Sequence, residues 1–138
     1  MTRVRDVATI VERLADLPTA LPALRLLAVF GSVATGRATD RSDVDLAVEC
    51  DAGVDRLAVH RLVAERLGTD AVDVVDLRRT SPLLAFQVAR DGRVVYERTP
   101  GLFRQFQSLA SRRYADAAKF RRLQRRAIHA FLERQGLE

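Results

Sequence analysis

Two aspartates, Asp43 and Asp45, are separated by a single residue in the stretch Asp-Val-Asp-Leu-Ala-Val. On a β-strand, side chains two residues apart project from the same face, so these carboxylates are expected side by side. Like charges at this distance repel each other and contribute nothing to folding. A divalent cation is the common reason to keep such a pair, because hard cations prefer oxygen ligands and serve in catalysis. The pair therefore predicts a metal site.

A glycine and a serine, Gly31-Ser32, follow the apolar run 26–30, where a buried strand gives way to a short helix or turn. Glycine lets a phosphate approach the backbone, and Ser32 offers a hydroxyl beside free N–H groups. Ten residues separate Ser32 from Asp43, which is enough for a short helix and a return turn. The second strand can then lie beside the first, with its carboxylates facing a ligand held at Gly31-Ser32.

A third carboxylate is expected from the neighbouring strand, where the stretch Asp-Val-Val-Asp at 73–76 supplies two candidates on opposite faces. We favour Asp73, which lies deeper in the strand. Asp76 is nearer the end of the strand, where a carboxylate suits the capping of a turn. The sequence leaves the choice between them open.

The elements that position these residues alternate between helices and strands. Helical patterns are predicted over 3–17, over 54–67 and from the Ser81-Pro82 cap to Gly92, with Pro18 and Pro22 ending the first helix. In the helix over 54–67 the predicted apolar face consists of Val54, Leu57, Ala58, Leu62 and Leu67, and Gly68 suits the C-cap. Strands are predicted over 26–30, 43–49, 72–77 and, as a short fourth strand, 93–97. This order predicts a mixed α/β or α+β domain with a sheet of three to four strands flanked by helices.

The longest helical pattern is predicted to begin at Thr99-Pro100, which combines a cap with a proline. Its apolar residues keep a nearly heptad spacing: Phe103, Phe106, Ala110, Ala117, Phe120, Ala127 and Phe131. Ser108 to Ser111 can interrupt it, so one or two helices are consistent with the pattern. This helical segment is predicted to pack as core or against a partner helix.

Charge divides the 138 residues into two parts. Residues 1–97 carry 13 basic and 15 acidic residues, whereas 98–138 carry 10 basic and 3 acidic ones. We therefore expect one domain over 1–138, with a core of about 1–97 and a basic C-terminal helical arm of about 99–136. The arm can meet phosphates, an acidic partner protein or only water. Few aromatic residues interleave with its arginines, so a nucleic acid is not expected as a direct ligand.

Cysteine content and hydropathy indicate a cytoplasmic protein. Cys50 is the only cysteine, which excludes an intramolecular disulfide and a thiolate metal site. No run approaches the roughly 20 apolar residues that span a membrane. The N-terminus reads as an amphipathic helix rather than a secretion leader.

Gly31-Ser32, the ten-residue interval and Asp43-Val-Asp45 together resemble the signature of the polymerase β-like nucleotidyltransferase superfamily. The short chain, the order of elements and the run at 73–76 resemble its stand-alone branch, the minimal nucleotidyltransferases. The tail is similar to members encoded beside HEPN-domain ribonuclease toxins, from Tyr96-Glu97 through Phe103 and Asp116 to Phe120-Arg121. The resemblance covers roughly residues 5–135.

This resemblance implies a nucleotidyltransferase fold and a two-metal transfer of AMP from ATP. Asp43 and Asp45 would hold two Mg²⁺ ions, and Asp73 would help to bind one of them and act as general base. Gly31 and Ser32 would hold the β- and γ-phosphates. The toxin-paired branch further implies an antitoxin that modifies a tyrosine of a HEPN ribonuclease within a hetero-oligomer, and so neutralises it.

Three other functions remain compatible with the sequence. An antitoxin can act by complex formation without catalysis, although a pure binder has no physical need for the glycine, serine and three aspartates. Adenylyl transfer to a small hydroxylated molecule is a second alternative, but such relatives usually carry an added substrate domain. A nucleic-acid-binding role is supported by the charge of the arm alone.

Overall fold

The computed structural model describes residues 6–136, so the start of the predicted first helix, residues 3–5, lies outside the described residues. The described elements follow in chain order: α1 Val7–Arg13, α2 Leu17–Ala20, β1 Leu24–Phe30, α3 Gly31–Ala34, β2 Val44–Cys50, α4 Arg56–Leu67, β3 Val72–Asp76, a 3₁₀ turn Leu77–Arg79, α5 Pro82–Asp91, β4 Arg93–Glu97 and α6 Leu102–Arg134.

The four strands form one mixed sheet in the order β3-β2-β1-β4. β1 pairs antiparallel with both β2 and β4, while β2 and β3 are parallel and joined through α4. Helices cover both faces: α1, α2 and α4 pack on one, and α5 and the start of α6 pack on the other. The predicted mixed α/β sheet with flanking helices and a long C-terminal helix is confirmed.

The central strand β1 is buried on both faces, as its continuous apolar run predicts. Leu27 and Val29 join the core under α1 and α4, whereas Leu26 and Ala28 join the core under α5. The strand begins at Leu24, two residues earlier than predicted. This strand carries the chain directly to Gly31.

The N-terminal region differs from its prediction of one helix ended by Pro18. α1 ends at Arg13, and Pro18 lies in the first turn of a second short helix, α2. A proline is tolerated there because the first N–H groups of a helix have no intrahelical acceptor. The turn between the helices lets both Leu14 and Leu17 reach the core.

α4 follows the predicted apolar face only in part, because Leu67 is buried and Leu62 is partly buried against the same core. Its buried residues are Val59, Val63 and Leu67, which share a four-residue spacing, while Leu57 is 74% exposed. The helix begins after Asp55, whose carboxylate accepts a hydrogen bond from the Ala58 N–H at 3.1 Å. Gly68 ends it in the left-handed conformation, as predicted.

α5 and β4 follow the predicted cap and strand. The Ser81 hydroxyl accepts a hydrogen bond from the Leu84 N–H at 3.2 Å, and α5 ends before Gly92. β4 forms over 93–97 and pairs with β1. It therefore completes the sheet as the fourth strand.

The start of α6 is not the predicted Thr99-Pro100 cap. The helix begins at Leu102, and the Glu97 side chain caps it from the end of β4. Its carboxylate accepts hydrogen bonds from the Gly101 N–H at 3.1 Å and the Phe103 N–H at 3.0 Å. The helix then runs unbroken through Ser108–Ser111, so one helix forms rather than two.

Within residues 6–136, none of the helices is both long and apolar enough to cross a membrane.

Candidate active site

The site forms where β1 ends and α3 begins, at Gly31. Phe30 pairs with Asp45 across the antiparallel strands β1 and β2, so the Asp45 carboxylate lies against the Gly31 backbone. A Cβ atom on Gly31 would overlap Asp45 Oδ2 and lie 3.1 Å from Asp45 Cγ. Gly31 also has a positive φ of 71°, a conformation that other residues rarely adopt. This position therefore requires glycine on two independent grounds.

Three carboxylates lie near this point, on or directly before two neighbouring strands. Asp43 lies immediately before β2, Asp45 lies inside it, and Asp73 pairs with Asp45 across the parallel strands β2 and β3. Neighbouring strands are about 4.8 Å apart, so Asp45 and Asp73 are close neighbours. Asp45 is partly buried, whereas Asp43 and Asp73 are exposed.

The side chains of β2 alternate between the two faces of the sheet, as predicted. Val44, Leu46 and Val48 join the core under α1 and α4. Asp45 and Ala47 therefore face the other side, where Ala47 packs in the core under α5. The carboxylates lie on the α5 side of the sheet, at the end where β2 and β3 begin.

The carboxylates act on one another. Burial, then the neighbouring charges of Asp73 and Asp43, raise the pKa of Asp45 to about 6. Each of these causes disfavours the ionised form. A divalent cation among the three groups would reverse this effect, because it attracts every carboxylate at once.

The donor set fits a hard cation such as Mg²⁺, which prefers carboxylate oxygens. In the part of the chain that the structure describes, no three His, Cys, Asp or Glu side chains converge closely enough to enclose an ion. Asp43 and Asp73 are exposed, so their side chains can change rotamer without repacking the core. Asp45, by contrast, is partly buried against Gly31.

Short hydrogen bonds order the loop between Ser32 and Asp43. The Arg37 N–H donates to the Ser32 carbonyl at 2.8 Å, and the Thr35 hydroxyl donates to the Gly31 carbonyl at 3.2 Å. The predicted turn at 39–42 is closed by the Thr39 N–H, which donates to the Ser42 hydroxyl at 2.8 Å. These bonds order the return path that leads the chain to Asp43 and the start of β2.

Asp76 occupies a structural position away from this cluster. It is buried, pairs with Val48, and accepts a hydrogen bond from the Arg78 N–H at 2.9 Å, which caps the 3₁₀ turn. Because side chains alternate along β3, Asp76 and Asp73 lie on opposite faces. Cys50 lies near Asp76, and burial raises the pKa of its thiol, so this group stays protonated.

Sequence reasoning gave Gly31 a role toward phosphate but missed its packing against Asp45. The contact depends on the register of β1 and β2, which a single chain segment does not encode. A glycine directly after a buried strand was the only available signal.

Residues 12–100 match the family model for polymerase beta nucleotidyltransferases. The chain belongs to this family. The matched range contains Gly31, Ser32 and the three clustered aspartates.

Individual nucleotidyltransferases extend the similarity over nearly the whole chain. The protein adenylyltransferase MntA of Aphanizomenon flos-aquae is 31% identical over an alignment of 147 positions, gaps included, that covers 98% of each chain. A toxin-antitoxin complex crystallised with AMP-PNP contains a chain of 29% identity and TM-score 0.62, with coverage of 91% of this chain and 97% of that chain. A complex of a tri-AMPylated Shewanella oneidensis HEPN toxin with its MNT antitoxin matches at 25% identity and TM-score 0.58, with the same coverage.

Proposed function

We propose that this nucleotidyltransferase is an antitoxin that transfers AMP from ATP to a tyrosine hydroxyl of a partner HEPN ribonuclease toxin. The modification neutralises the toxin. Family membership, the similarity to a protein adenylyltransferase along the full chain, and the toxin complexes among its structural relatives all support this function. A hetero-oligomer with the toxin follows from it.

The observation that carries the proposal is the packing of Asp45 beneath Gly31 with two further carboxylates beside it. A protein that neutralised its toxin by contact alone would gain stability by removing this cluster, because the charges repel each other. Carboxylates near the start of β2 and β3, next to the glycine that follows β1, fit the binding of metal and triphosphate.

Each of the site residues has its own role in this reaction. Asp43, Asp45 and Asp73 would hold Mg²⁺, which when bound neutralises charge on the triphosphate and on the leaving pyrophosphate. Gly31 and Ser32 would hold the β- and γ-phosphates through backbone N–H groups and the hydroxyl. Asp73 is exposed at the edge strand β3 and would accept the proton of the acceptor hydroxyl.

The transfer forms one bond and breaks one bond at the α-phosphorus. The tyrosine oxygen attacks the α-phosphorus of ATP, the bond from that phosphorus to the bridging oxygen breaks, and pyrophosphate leaves with the electron pair. The tyrosine proton passes to the Asp73 carboxylate. The protein contributes mainly by positioning the reactants and by electrostatics.

We place this reaction in the cytoplasm, where ATP is available. The buried, unpaired thiol of Cys50 fits a reducing compartment.

A transfer assay with the purified toxin, labelled ATP and Mg²⁺ tests the function. Wild-type protein should label the toxin, and Asp45→Asn should reduce labelling by on the order of 10³-fold. Asp70→Asn is the matched control, because it makes the same change at an exposed loop residue close to Asp73. Chelation of Mg²⁺ should abolish labelling.

Toxin neutralisation that persists in the Asp45→Asn variant, without any label on the toxin, would contradict the proposal. That result would instead support neutralisation by complex formation. Labelling of a small hydroxylated molecule but not of the toxin would point to the other transferase class.

A further inference from the structure

The distal segment of α6, residues 119–131, is exposed along its whole length. Four large apolar side chains in this segment are at least half exposed: Phe120 61%, Leu123 51%, Ile128 59% and Phe131 53%. Solvent-facing apolar residues in such a row mark an interaction surface rather than chance exposure. A helix that packed only on its own domain would not present them.

These residues continue a stripe that is already in use nearer the body of the protein. Phe103 and Ala110 on the first turns of α6 are buried against α5 and the sheet. Beyond them, Ala117, Phe120, Ala127 and Phe131 keep the same nearly heptad spacing, which keeps them on one face of the helix. The first half of the stripe is covered by the rest of the chain, and the second half is exposed to solvent.

Charge decides which partner fits. Residues 112–134 carry eight basic and two acidic residues. A second copy of the chain would bring an equally basic helix alongside, and the like charges would oppose the contact. A partner surface whose apolar residues are flanked by acidic ones complements both the apolar stripe and the basic residues around it.

A cavity at the root of the exposed stripe gives independent evidence for an acidic partner. It has a volume of about 400 Å³, and Leu109 and Arg113 of α6 line it together with Arg25, Glu49 and Arg78. Glu49 forms ion pairs with two of the three arginines: its carboxylate oxygens lie 3.5 Å from Arg25 Nε and 3.7 Å from Arg78 Nε. Three guanidinium groups therefore line the cavity with a single carboxylate, and this surplus of positive charge favours an additional anion.

We propose that the distal segment of α6 and the arginine cavity at its root form the docking surface for the toxin. The partner contributes a helical face whose apolar residues cover Phe120, Leu123 and Phe131, and a carboxylate that enters the cavity. The inference rests on the proposed function only for the identity of the partner.

Docking and chemistry are located at opposite ends of the molecule. α6 runs antiparallel to α5, because Gln107 donates to the Ala89 carbonyl at 2.9 Å and Tyr114 stacks on Phe86 at 4.2 Å between ring centroids. It therefore leaves the body near the start of α5, at the end of the sheet where β3 ends. Along β2, Asp45 and Glu49 are four residues apart, or roughly 13 Å. Variants of the docking surface should consequently alter binding and leave the transfer step intact.

Purified toxin and full-length variants test the apolar part of the surface in a binding titration without ATP. The double variant Phe120→Ser/Phe131→Ser should weaken the complex by at least about 30-fold, as expected for central aromatic contacts. Val11→Ser, which alters an exposed valine of α1 on the opposite face of the sheet, is the matched control and should stay within about twofold of wild type. At saturating toxin, the double variant should recover the wild-type rate of AMP transfer.

A second pair of variants tests the charged part. Arg113→Glu/Arg121→Glu changes one cavity residue and one exposed arginine beside the stripe, and should weaken binding by at least about tenfold. Arg122 is also exposed, but it lies roughly 160–180° around the helix from Phe120, Phe131 and Arg113, so Arg122→Glu is the matched control. It should have little effect.

Wild-type affinity in both double variants would overturn the inference. So would dimerisation of the wild-type chain that is lost in Phe120→Ser/Phe131→Ser, because a second copy would then cover the stripe. RNA binding that depends on Arg113 and Arg121, with toxin binding unchanged, would assign the basic residues to nucleic acid instead. If the toxin binds through this surface but receives no AMP, the proposed enzymatic function fails while the docking surface stands.

Discussion

At the scale of single residues, the site depends on a close contact between a glycine and a carboxylate. Gly31 lies against Asp45, and its positive φ excludes most side chains independently of that contact. Gly36 has a similar φ of 75°, but a Cβ atom there would meet nothing within 4 Å. Substitutions at the two glycines can therefore distinguish the cost of the backbone conformation from the effect of the steric conflict with Asp45.

Gly31→Ala is expected to abolish most activity, while Gly36→Ala preserves it. Both variants should lose about 1 kcal/mol of stability through the left-handed conformation. In Gly31→Ala the added methyl group also displaces Asp45, and such a shift should reduce AMP transfer by on the order of 10²-fold. Thermal unfolding and the transfer assay measure the two effects. Equal transfer rates in both variants would show that the contact with Asp45 is unimportant.

Asp45→Asn is expected to stabilise the protein at pH 8 and not at pH 4. The pKa of Asp45 is about 6 in the folded protein against 3.8 ordinarily, so the folded state binds the proton more tightly. Stability therefore falls as the pH rises from about 4 to about 6, and the full penalty applies above that. With allowance for solvent screening, the variant should gain about 1–2 kcal/mol at pH 8.

Denaturant unfolding at both pH values, without Mg²⁺, measures this gain. If Asp45 is a metal ligand as proposed, addition of Mg²⁺ at pH 8 should then stabilise the wild-type protein more than the variant, which has one carboxylate fewer. A variant less stable than wild type at pH 8 would contradict the repulsion among these carboxylates.

At the scale of secondary-structure elements, strand register separates the two aspartates of β3. Asp73 pairs with Asp45, whereas Asp76 caps the following turn from the opposite face. Asp73→Asn should reduce AMP transfer by on the order of 10³-fold at nearly unchanged stability. Asp76→Ala should cost about 1 kcal/mol or more through the lost cap, with transfer largely retained in the folded fraction. The reverse pattern would reassign the third carboxylate to Asp76.

The start of α6 offers a second test at this scale. The Glu97 carboxylate accepts hydrogen bonds from the backbone N–H groups of Phe103 and Gly101, and these bonds lower its pKa. Glu97→Ala should cost about 1 kcal/mol at pH 7, and Thr99→Ala should cost almost nothing. The difference should shrink as the pH falls below the ordinary value for Glu, because a lowered folded-state pKa loses its stabilisation on protonation. Equal unfolding midpoints for Glu97→Ala and Thr99→Ala at pH 7 would contradict the capping role of Glu97 and favour Thr99 as the cap.

At the scale of the whole molecule, the charge distribution separates a near-neutral body from a basic helix. If the toxin docks on α6, raising NaCl from about 0.1 to 0.5 M should weaken the complex by at least about tenfold, because exposed charges are screened. The unfolding midpoint of the isolated protein should change little, since its core is apolar. A complex insensitive to salt would indicate that apolar contacts alone hold the partner.

The sequence by itself determined the order of elements, the three aspartates and their approximate setting. Periodicity fixes the faces of β2 because alternation is local, and the caps at Ser81 and Gly68 depend on neighbouring residues only. For the same reason, local signals in the chain were sufficient to predict a sheet of three to four strands and a long C-terminal helical arm.

The tertiary structure decided which residues meet across elements. It paired Asp45 with Asp73, brought Gly31 against Asp45, and supplied the cap of α6 from Glu97 on another element. It also left the distal segment of α6 uncovered, although its apolar spacing matches that of the buried half. These outcomes depend on strand register and on the length of neighbouring elements, which are non-local properties that no sequence window contains.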